Sequence, residues 1–117
     1  MFLNLNHYNL DVYKTAKELR KNCYKIIKIL PEQEKYNLID QMRRASTSIV
    51  LNISEGSSRK SKTERNRYYE IARGSIIEID SCCEIIVEEN YLKIEELTEL
   101  GKNIKTTFIL LSKLMNS

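Results

Sequence analysis

Five basic side chains that lie close together in the middle of the chain have the chemistry of an anion-binding site. Ser61 and Glu64 have the spacing of a capping box, which predicts that a helix begins beside them. The free N–H groups of a helix start attract anions, and lysine and arginine bind backbone phosphates of nucleic acids. Tyr68 or Tyr69 would lie near enough to stack on an unpaired base. The basic residues are Arg59, Lys60, Lys62, Arg65 and Arg67.

The same stretch also has a simpler interpretation as a solvated loop. The pI of about 8.7 is below the value above ~9 that is typical of a dedicated nucleic-acid module. A second basic series favours binding, because its members recur at steps of three and four and so share one face of a helix. This series is Lys14, Lys17, Lys21, Lys25 and Lys28, of which we take Lys14 and Lys21 as candidate contacts. Both interpretations stay open.

Polar residues interrupt the apolar pattern around the middle of the chain. They predict a buried or half-buried ion pair of Arg44 or Arg73 with Glu55 or Glu78, which would fix the register of two helices or serve a subunit interface. A catalytic carboxylate pair is disfavoured, since no histidine, activated nucleophile or metal-ligand repeat accompanies the acids. We therefore expect no catalytic residues and no enzyme. The polar set is Arg44, Ser48, Asn52, Glu55, Arg73 and Glu78.

The cysteines and the histidine do not have the pattern of a metal site. Cys23, Cys82 and Cys83 are an odd number, and no pair has the two-residue gap that zinc sites use. The only histidine, His7, lies near one terminus. We interpret the cysteines as reduced core residues and expect neither a metal nor another cofactor.

Four helices are predicted from apolar residues that recur every three or four positions. The first ends where Leu30 precedes the only proline, Pro31, and the second ends at Gly56, which we interpret as a C-terminal cap. With three glycines and one proline, the chain has too few turn signals for a β-sandwich or barrel. The predicted helices span roughly residues 10–30, 34–55, 62–89 and 94–115.

Each predicted helix has one apolar face, and four such faces can bury one another. The sequence thus predicts an all-α protein, an antiparallel up-down-up-down four-helix bundle in which residues 1–117 form one domain. Gly74 and Gly101 lie inside predicted helices, where we expect another helix to come close. Residues 1–9 would form an extended arm that docks on a neighbour or stays loose.

Some apolar side chains are predicted to lie outside the core. Tyr24 with Ile27 and Tyr69 with Ile76 would leave apolar surface on two sides of the molecule. Such surface favours association with a partner, so we expect an oligomer.

Charge is divided unevenly along the chain. Residues 57–73 carry six basic and two acidic side chains, whereas residues 74–117 carry four basic and eight acidic ones. In the predicted bundle, these segments give a basic end and an acidic end. The acidic end supports an alternative function, a protein-binding adaptor or scaffold with a basic partner. Its glutamates are Glu84, Glu88, Glu89, Glu95, Glu96 and Glu99.

No stretch of the sequence predicts a membrane span or an export signal. The longest apolar runs, such as Phe108–Leu111, are far shorter than the ~18 residues that a span requires. Residues 1–10 lack a basic lead-in, an apolar block and a cleavage site. We expect a cytoplasmic protein with no membrane partner.

The central strings of the sequence resemble the four-helix bundle proteins encoded in intervening sequences of bacterial 23S ribosomal RNA genes. The resemblance covers nearly the whole chain, and its opening features are Tyr13–Leu19 and the turn Leu30–Glu34. The strings that carry it are Gln41–Ile49, Asn52–Gly56, Arg59, Ile71–Ser75 and Glu78. The family's polar motif falls on Arg43, Arg44, Ser48, Asn52, Glu55, Gly56, Arg59, Arg73, Gly74, Ser75 and Glu78.

The resemblance implies an up-down four-helix bundle. A more distant similarity to accessory proteins of diversity-generating retroelements implies a homopentameric ring with a basic face toward RNA or DNA and a reverse transcriptase. The resemblance implies no settled activity for the intervening-sequence proteins themselves. The molecular function is therefore inferred from the residues of this chain.

Overall fold

The structure is a computed structural model that describes every residue from Met1 to Ser117. It contains four α-helices and no β-strand, which confirms the predicted all-α class. Short 3-10 turns at Asn6–Asn9, Glu32–Glu34 and Ile94–Leu97 precede the first, second and fourth helices. The helices are α1 (Asp11–Ile27), α2 (Leu38–Ser57), α3 (Lys62–Glu88) and α4 (Thr98–Met115).

The connection between α1 and α2 is longer than the sequence predicted. α1 ends at Ile27 rather than near residue 30, and α2 begins at Leu38 rather than at residue 34. Asn37 has φ −128° and ψ −101°, outside the helical region, so it separates the turn after Pro31 from α2. The acidic residues after the proline therefore form a 3-10 turn of their own.

Both ends of α3 follow local signals in the sequence. The Ser61 hydroxyl accepts a hydrogen bond from the N–H of Glu64 at 3.1 Å, as the capping pattern predicted. At the other end, Asn90 adopts the left-handed conformation with φ 60°. The N–H of Tyr91 then donates to the carbonyl oxygen of Ile86 at 3.1 Å, which ends the helix.

One apolar core of 25 buried residues is shared by all four helices. α2 and α4 each pack against both α1 and α3. Two polar contacts link α1 to α4: the Thr107 hydroxyl donates to that of Thr15 at 3.1 Å, and the Asn22 amide donates to the Asn103 side chain. Every buried side-chain nitrogen or oxygen has a partner, so these polar contacts cost no unpaired group.

The expected apolar surface is largely buried. Tyr69 is 3% exposed and Ile76 is 1% exposed, and Ile27 is buried as well, while Tyr24 is half-buried. The predicted exposure was wrong because the packed side of each helix is wider than a single stripe, so neighbours of the stripe are covered too.

The expectations for the three glycines were also wrong. A Cβ at Gly74 or Gly101 would meet no atom within 4 Å, so no helix approaches either residue. Gly56 is not a cap, because α2 continues to Ser57 and Gly56 has no positive φ. The close approach is at Gly56 instead, where an added Cβ would lie 2.7 Å from the Tyr69 ring.

Candidate nucleic-acid interface

The α2–α3 connection that carries the basic cluster is short and tied to α3. The guanidinium of Arg65 donates to the carbonyl oxygens of Lys60 at 2.8 Å and Arg59 at 3.3 Å. Arg65 is half-buried, and its guanidinium binds carbonyl oxygens of the loop, so it is less available to a ligand. Beneath the loop, the Ser57 and Tyr69 hydroxyls lie 3.0 Å apart. The loop is therefore held in one shape before any ligand arrives.

Arg59 lies beside a carboxylate and a tyrosine. Its guanidinium donates to Glu55 Oε2 at 2.8 Å and to the Tyr68 hydroxyl at 3.0 Å. It also covers the Tyr68 ring, with 4.9 Å from its central carbon to the ring centroid. A base can stack on that face of Tyr68 only if Arg59 moves, and Tyr69 is buried and cannot take this role.

The remaining three basic side chains are exposed, and two of them have no acidic partner. Arg67 lies 3.3 Å from Glu64. Lys60 and Lys62 make no salt bridge within 4.0 Å, so their charges are not neutralised by the protein. They are the members of the cluster most available to a phosphate.

The two candidate contacts on α1, Lys14 and Lys21, are both exposed but lie at different positions along the bundle. Lys14 is one residue from Thr15, which contacts the C-terminal half of α4, whereas Lys21 is level with the Asn22–Asn103 contact farther along. Lys21 also lies 3.8 Å from Glu18. The structure brings Lys14 toward the end that carries the basic loop and leaves Lys21 outside that cluster.

Sequence reasoning missed Lys113 as a member of the basic end. The Asn66 amide donates to the carbonyl oxygen of Met115 at 3.1 Å, which joins the end of α4 to the start of α3. The exposed Lys113, in the last turn of α4, thereby lies at the same end as Lys60 and Lys62. Lys113 is some fifty residues from the loop in the sequence, so the spacing of residues did not predict that the two lie close together.

A second arginine cluster lies on the α1–α2 side and was also missed. The Arg20 guanidinium donates to the Thr47 hydroxyl at 3.3 Å and lies over the Tyr24 ring at 4.4 Å. Arg43 and Arg44 flank an open hollow of about 470 Å³ beside them. The period of α2 places these arginines near Thr47, but only the structure shows that Arg20 joins them.

The opposite end of the molecule is acidic. The Tyr91 hydroxyl donates to Glu34 Oε2 at 2.7 Å, which brings the α1–α2 and α3–α4 connections together. This hydrogen bond lowers the pKa of Glu34 and raises the pKa of Tyr91. The six glutamates assigned to this end are exposed and form no salt bridge; they are Glu84, Glu88, Glu89, Glu95, Glu96 and Glu99.

The cysteines are free, with Cys23 and Cys82 buried and Cys83 half-buried. Burial raises the pKa of all three thiols, that of Cys83 to about 12. No group of three or more His, Cys, Asp or Glu residues is arranged to hold a metal ion. None of the helices has both the length and the apolar character to cross a bilayer.

A family model described as the 23S rRNA-intervening sequence protein matches residues 8–113. The chain belongs to this family. A comparison of this intervening sequence protein with curated proteins finds no match. The family assignment confirms the resemblance of the central strings, and the match covers α1, α2, the basic loop, α3 and α4 as far as Lys113.

In this intervening sequence protein, two members of the polar set, Ser48 and Asn52, meet Ser75 at the contact between α2 and α3. The Ser75 hydroxyl donates to that of Ser48 at 3.1 Å, and the Asn52 amide donates to the Ser48 hydroxyl at 3.0 Å and carbonyl oxygen at 2.9 Å. Ser75 is buried and Ser48 and Asn52 are half-buried, so the three residues form a polar contact between the two helices.

The predicted cross-helix ion pair is wrong. Arg44 lies 3.4 Å from Asp40, and Glu55 pairs with Arg59, both within one helical turn. Arg73 instead covers the Phe108 ring at 5.1 Å, and the exposed Glu78 makes no salt bridge. Partners four residues away are always within reach on a helix, so they outcompete pairs that depend on the register of two helices.

Proposed function

We propose that this protein is a non-enzymatic homo-oligomer of four-helix bundles that binds structured RNA through its basic end. The observation that carries the proposal is a pair of exposed, unpaired lysines: Lys60 on the loop that Arg65 holds in place, and Lys62 at the first residue of α3. A preformed loop loses little conformational freedom on binding, so little of the electrostatic attraction to a phosphate is offset by an entropic cost. The pentamer that the distant resemblance implies, and the cytoplasmic location expected from the sequence, belong to the same proposal.

The proposed subunit is an antiparallel up-down-up-down bundle. Two contacts support this arrangement: Thr15 pairs with Thr107, and the later Asn22 pairs with the earlier Asn103. Residue numbers rise in α1 as they fall in α4, as expected of neighbours that run in opposite directions. The short connection between α2 and α3 favours the same arrangement for that pair.

The five basic residues have different parts in this proposal. Lys60 and Lys62 contact phosphates directly, and Arg65 positions the loop. Arg59 and Arg67 reach a phosphate by leaving Glu55 and Glu64, so their contribution is reduced by the bonds that they give up. Lys14 and Lys113 extend the contact around the same end, and Lys21 adds a weaker one. The face toward the ligand is repeated by each subunit of the oligomer.

The test is RNA binding by the nuclease-treated protein across a salt series. We expect log affinity to fall linearly with log salt, because each phosphate contact releases counterions. The Lys60→Glu/Lys62→Glu variant should bind more weakly and flatten the slope by about 1.5, from ~0.7–0.9 per lost contact.

The matched control is Lys35→Glu/Lys93→Glu, which changes the net charge equally but alters exposed lysines near the acidic end. The control should retain most of the parent affinity. Equal losses in both variants would mean that only net charge matters, and unchanged binding by the loop variant would remove the loop from the site.

The second candidate is a protein-binding adaptor or scaffold without a nucleic-acid function. The six exposed glutamates without ion pairs favour it, since they would attract a basic partner such as a reverse transcriptase. An oligomer that binds no RNA or duplex DNA even at low salt would support this candidate and overturn the first.

A further inference from the structure

An open groove runs between α3 and α4. It consists of two hollows, of about 580 Å³ and 330 Å³, that share Asp80, Ile104 and Lys105 and are therefore continuous. Only side chains of α3, α4 and the turn before α4 line it. No part of the chain fills this groove.

The groove has an apolar lining with a charged rim. Ile77, Ile94 and Ile109 are 45–68% exposed, which is high for side chains of this size that lie along one groove. Asp80 and Glu84 lie on the α3 side, with Lys105 on the α4 side. An apolar strip of this kind marks a surface that another chain covers.

The first five residues provide an apolar segment without a partner. Met1, Phe2, Leu3 and Leu5 are 42–87% exposed, and residues 1–5 contain no charged side chain. Just after them, His7 is buried, with its ring centroid 4.7 Å from that of Tyr13. The segment is therefore an apolar arm, defined as residues 1–5, on an anchored base.

The arm and the groove match in size and shape. Along α3, the groove extends from Ile76 to Glu88, about 18 Å at ~1.5 Å per residue. Five extended residues span up to about 17 Å. Because the groove is concave, a second groove cannot fill it, whereas a narrow arm can do so without desolvating a charged side chain.

We propose that the arm of one copy lies in the α3–α4 groove of a second copy. The anchor of the arm packs on α1 and α2, whereas the groove belongs to α3 and α4, so the two surfaces lie on different elements of each subunit. Contacts between unlike surfaces generate rings or filaments rather than closed dimers. This inference rests on the homo-oligomer of the proposed function and names its contact.

The first test is the mass of variants in solution by light scattering. Both the arm variant, Phe2→Asp/Leu3→Asp, and the groove variant, Ile109→Asp, should fall from the parent mass to one chain of 13.8 kDa. The control is Ile71→Asp, on α3 but outside the groove and 53% exposed, which should keep the parent mass. Circular dichroism checks that each variant is folded.

Mixing the two defective variants gives a sharper result. The arm variant retains an intact groove, and the groove variant retains an intact arm, so together they should form a species of twice the single-chain mass. Monomers in the mixture would overturn the proposal, as would an arm variant that keeps the parent mass while the groove variant loses it.

Disulfide cross-linking identifies the two surfaces directly. A Leu3→Cys copy mixed with an Ile109→Cys copy, both carrying Cys83→Ser because Cys83 lines the groove, should form covalent heterodimers, with little background from the buried Cys23 and Cys82. With both substitutions in one chain, a link confined to that chain would overturn the second copy as the occupant. RNA binding is measured separately. A parent protein that is a monomer and binds RNA refutes the homo-oligomer and its arm contact but leaves the RNA function standing, whereas an arm-linked oligomer without RNA binding refutes only the RNA function.

Discussion

Gly56 lies where α2 comes closest to Tyr69. An added Cβ would lie 2.7 Å from Tyr69 Cε1 and 3.1 Å from the Arg65 carbonyl oxygen, so the ring or the backbone must move. We expect Gly56→Ala to lower the free energy of unfolding by about 1–3 kcal/mol, as overpacking does elsewhere. Urea denaturation followed by circular dichroism measures this change.

Gly74→Ala is the matched control for that substitution. The residue lies inside α3, is exposed, and has no atom within 4 Å of an added Cβ. Alanine restricts the unfolded chain and favours the helix, so this variant should gain about 0.5–1 kcal/mol. Changes of the same sign in both variants would contradict the close approach at Gly56.

Tyr91 and Glu34 form a hydrogen bond whose effect depends on pH. The bond lowers the pKa of Glu34, so its stabilisation is present above the ordinary carboxyl pKa and is lost as the pH falls through the lowered value. In Tyr91→Phe, the pKa of Glu34 should rise toward its ordinary value, as measured by NMR titration. The stability gap between variant and parent should be larger at pH 7 than at pH 3; an equal gap would show that packing, not the bond, was lost.

At the scale of helices, the sequence predicted the core better than the boundaries. The step of three and four residues correctly identified buried positions such as Met42 and Ile53, because the helix period decides which side chains share a face. The predicted start of α2 was wrong because the backbone of Asn37 lies outside the helical region. The acidic residues that suggested an earlier start contain no signal for that backbone conformation. The spacing of apolar residues thus predicts the buried face of a helix more reliably than the residues at which the helix begins and ends.

The candidate site was predicted only in part, for a related reason. The basic loop is a local feature, and it could be read from consecutive residues together with the Ser61 cap. The inward position of Arg65, the stacking of Arg59 on Tyr68 and the proximity of Lys113 depend on rotamers and on the packing of distant helices. No spacing rule carries that information.

The short turn that anchors the arm should respond to acid. Burial lowers the pKa of His7, so the neutral ring is the form that packs, and the stabilisation is present above the ordinary histidine pKa. As the pH falls through the lowered value, residues 6–9 should loosen while α2 stays ordered. Amide hydrogen exchange from pH 8 to pH 5 measures this, and His7→Phe should remove the pH dependence.

At the scale of the whole molecule, the shared core controls access to the thiols. Cys23 and Cys82 are buried, and burial raises the pKa of both thiols, so a disulfide reagent should modify them in the native protein only when the helices separate. We expect modification of both residues at least 100-fold slower in buffer than in concentrated urea. Rapid native modification of Cys23 alone would show that α1 opens independently.

The distance between the two charged ends governs how the molecule meets an ion exchanger. The longest dimension is 44 Å, several times the Debye length of about 8–10 Å at ordinary ionic strength. The electrostatic attraction to an ion-exchange resin therefore depends on the charge of the end that faces the resin, and not on the net charge of the chain. Even at its isoelectric point, near pH 8.7, the protein should adsorb both to phosphocellulose and to quaternary-amine resin, in opposite orientations.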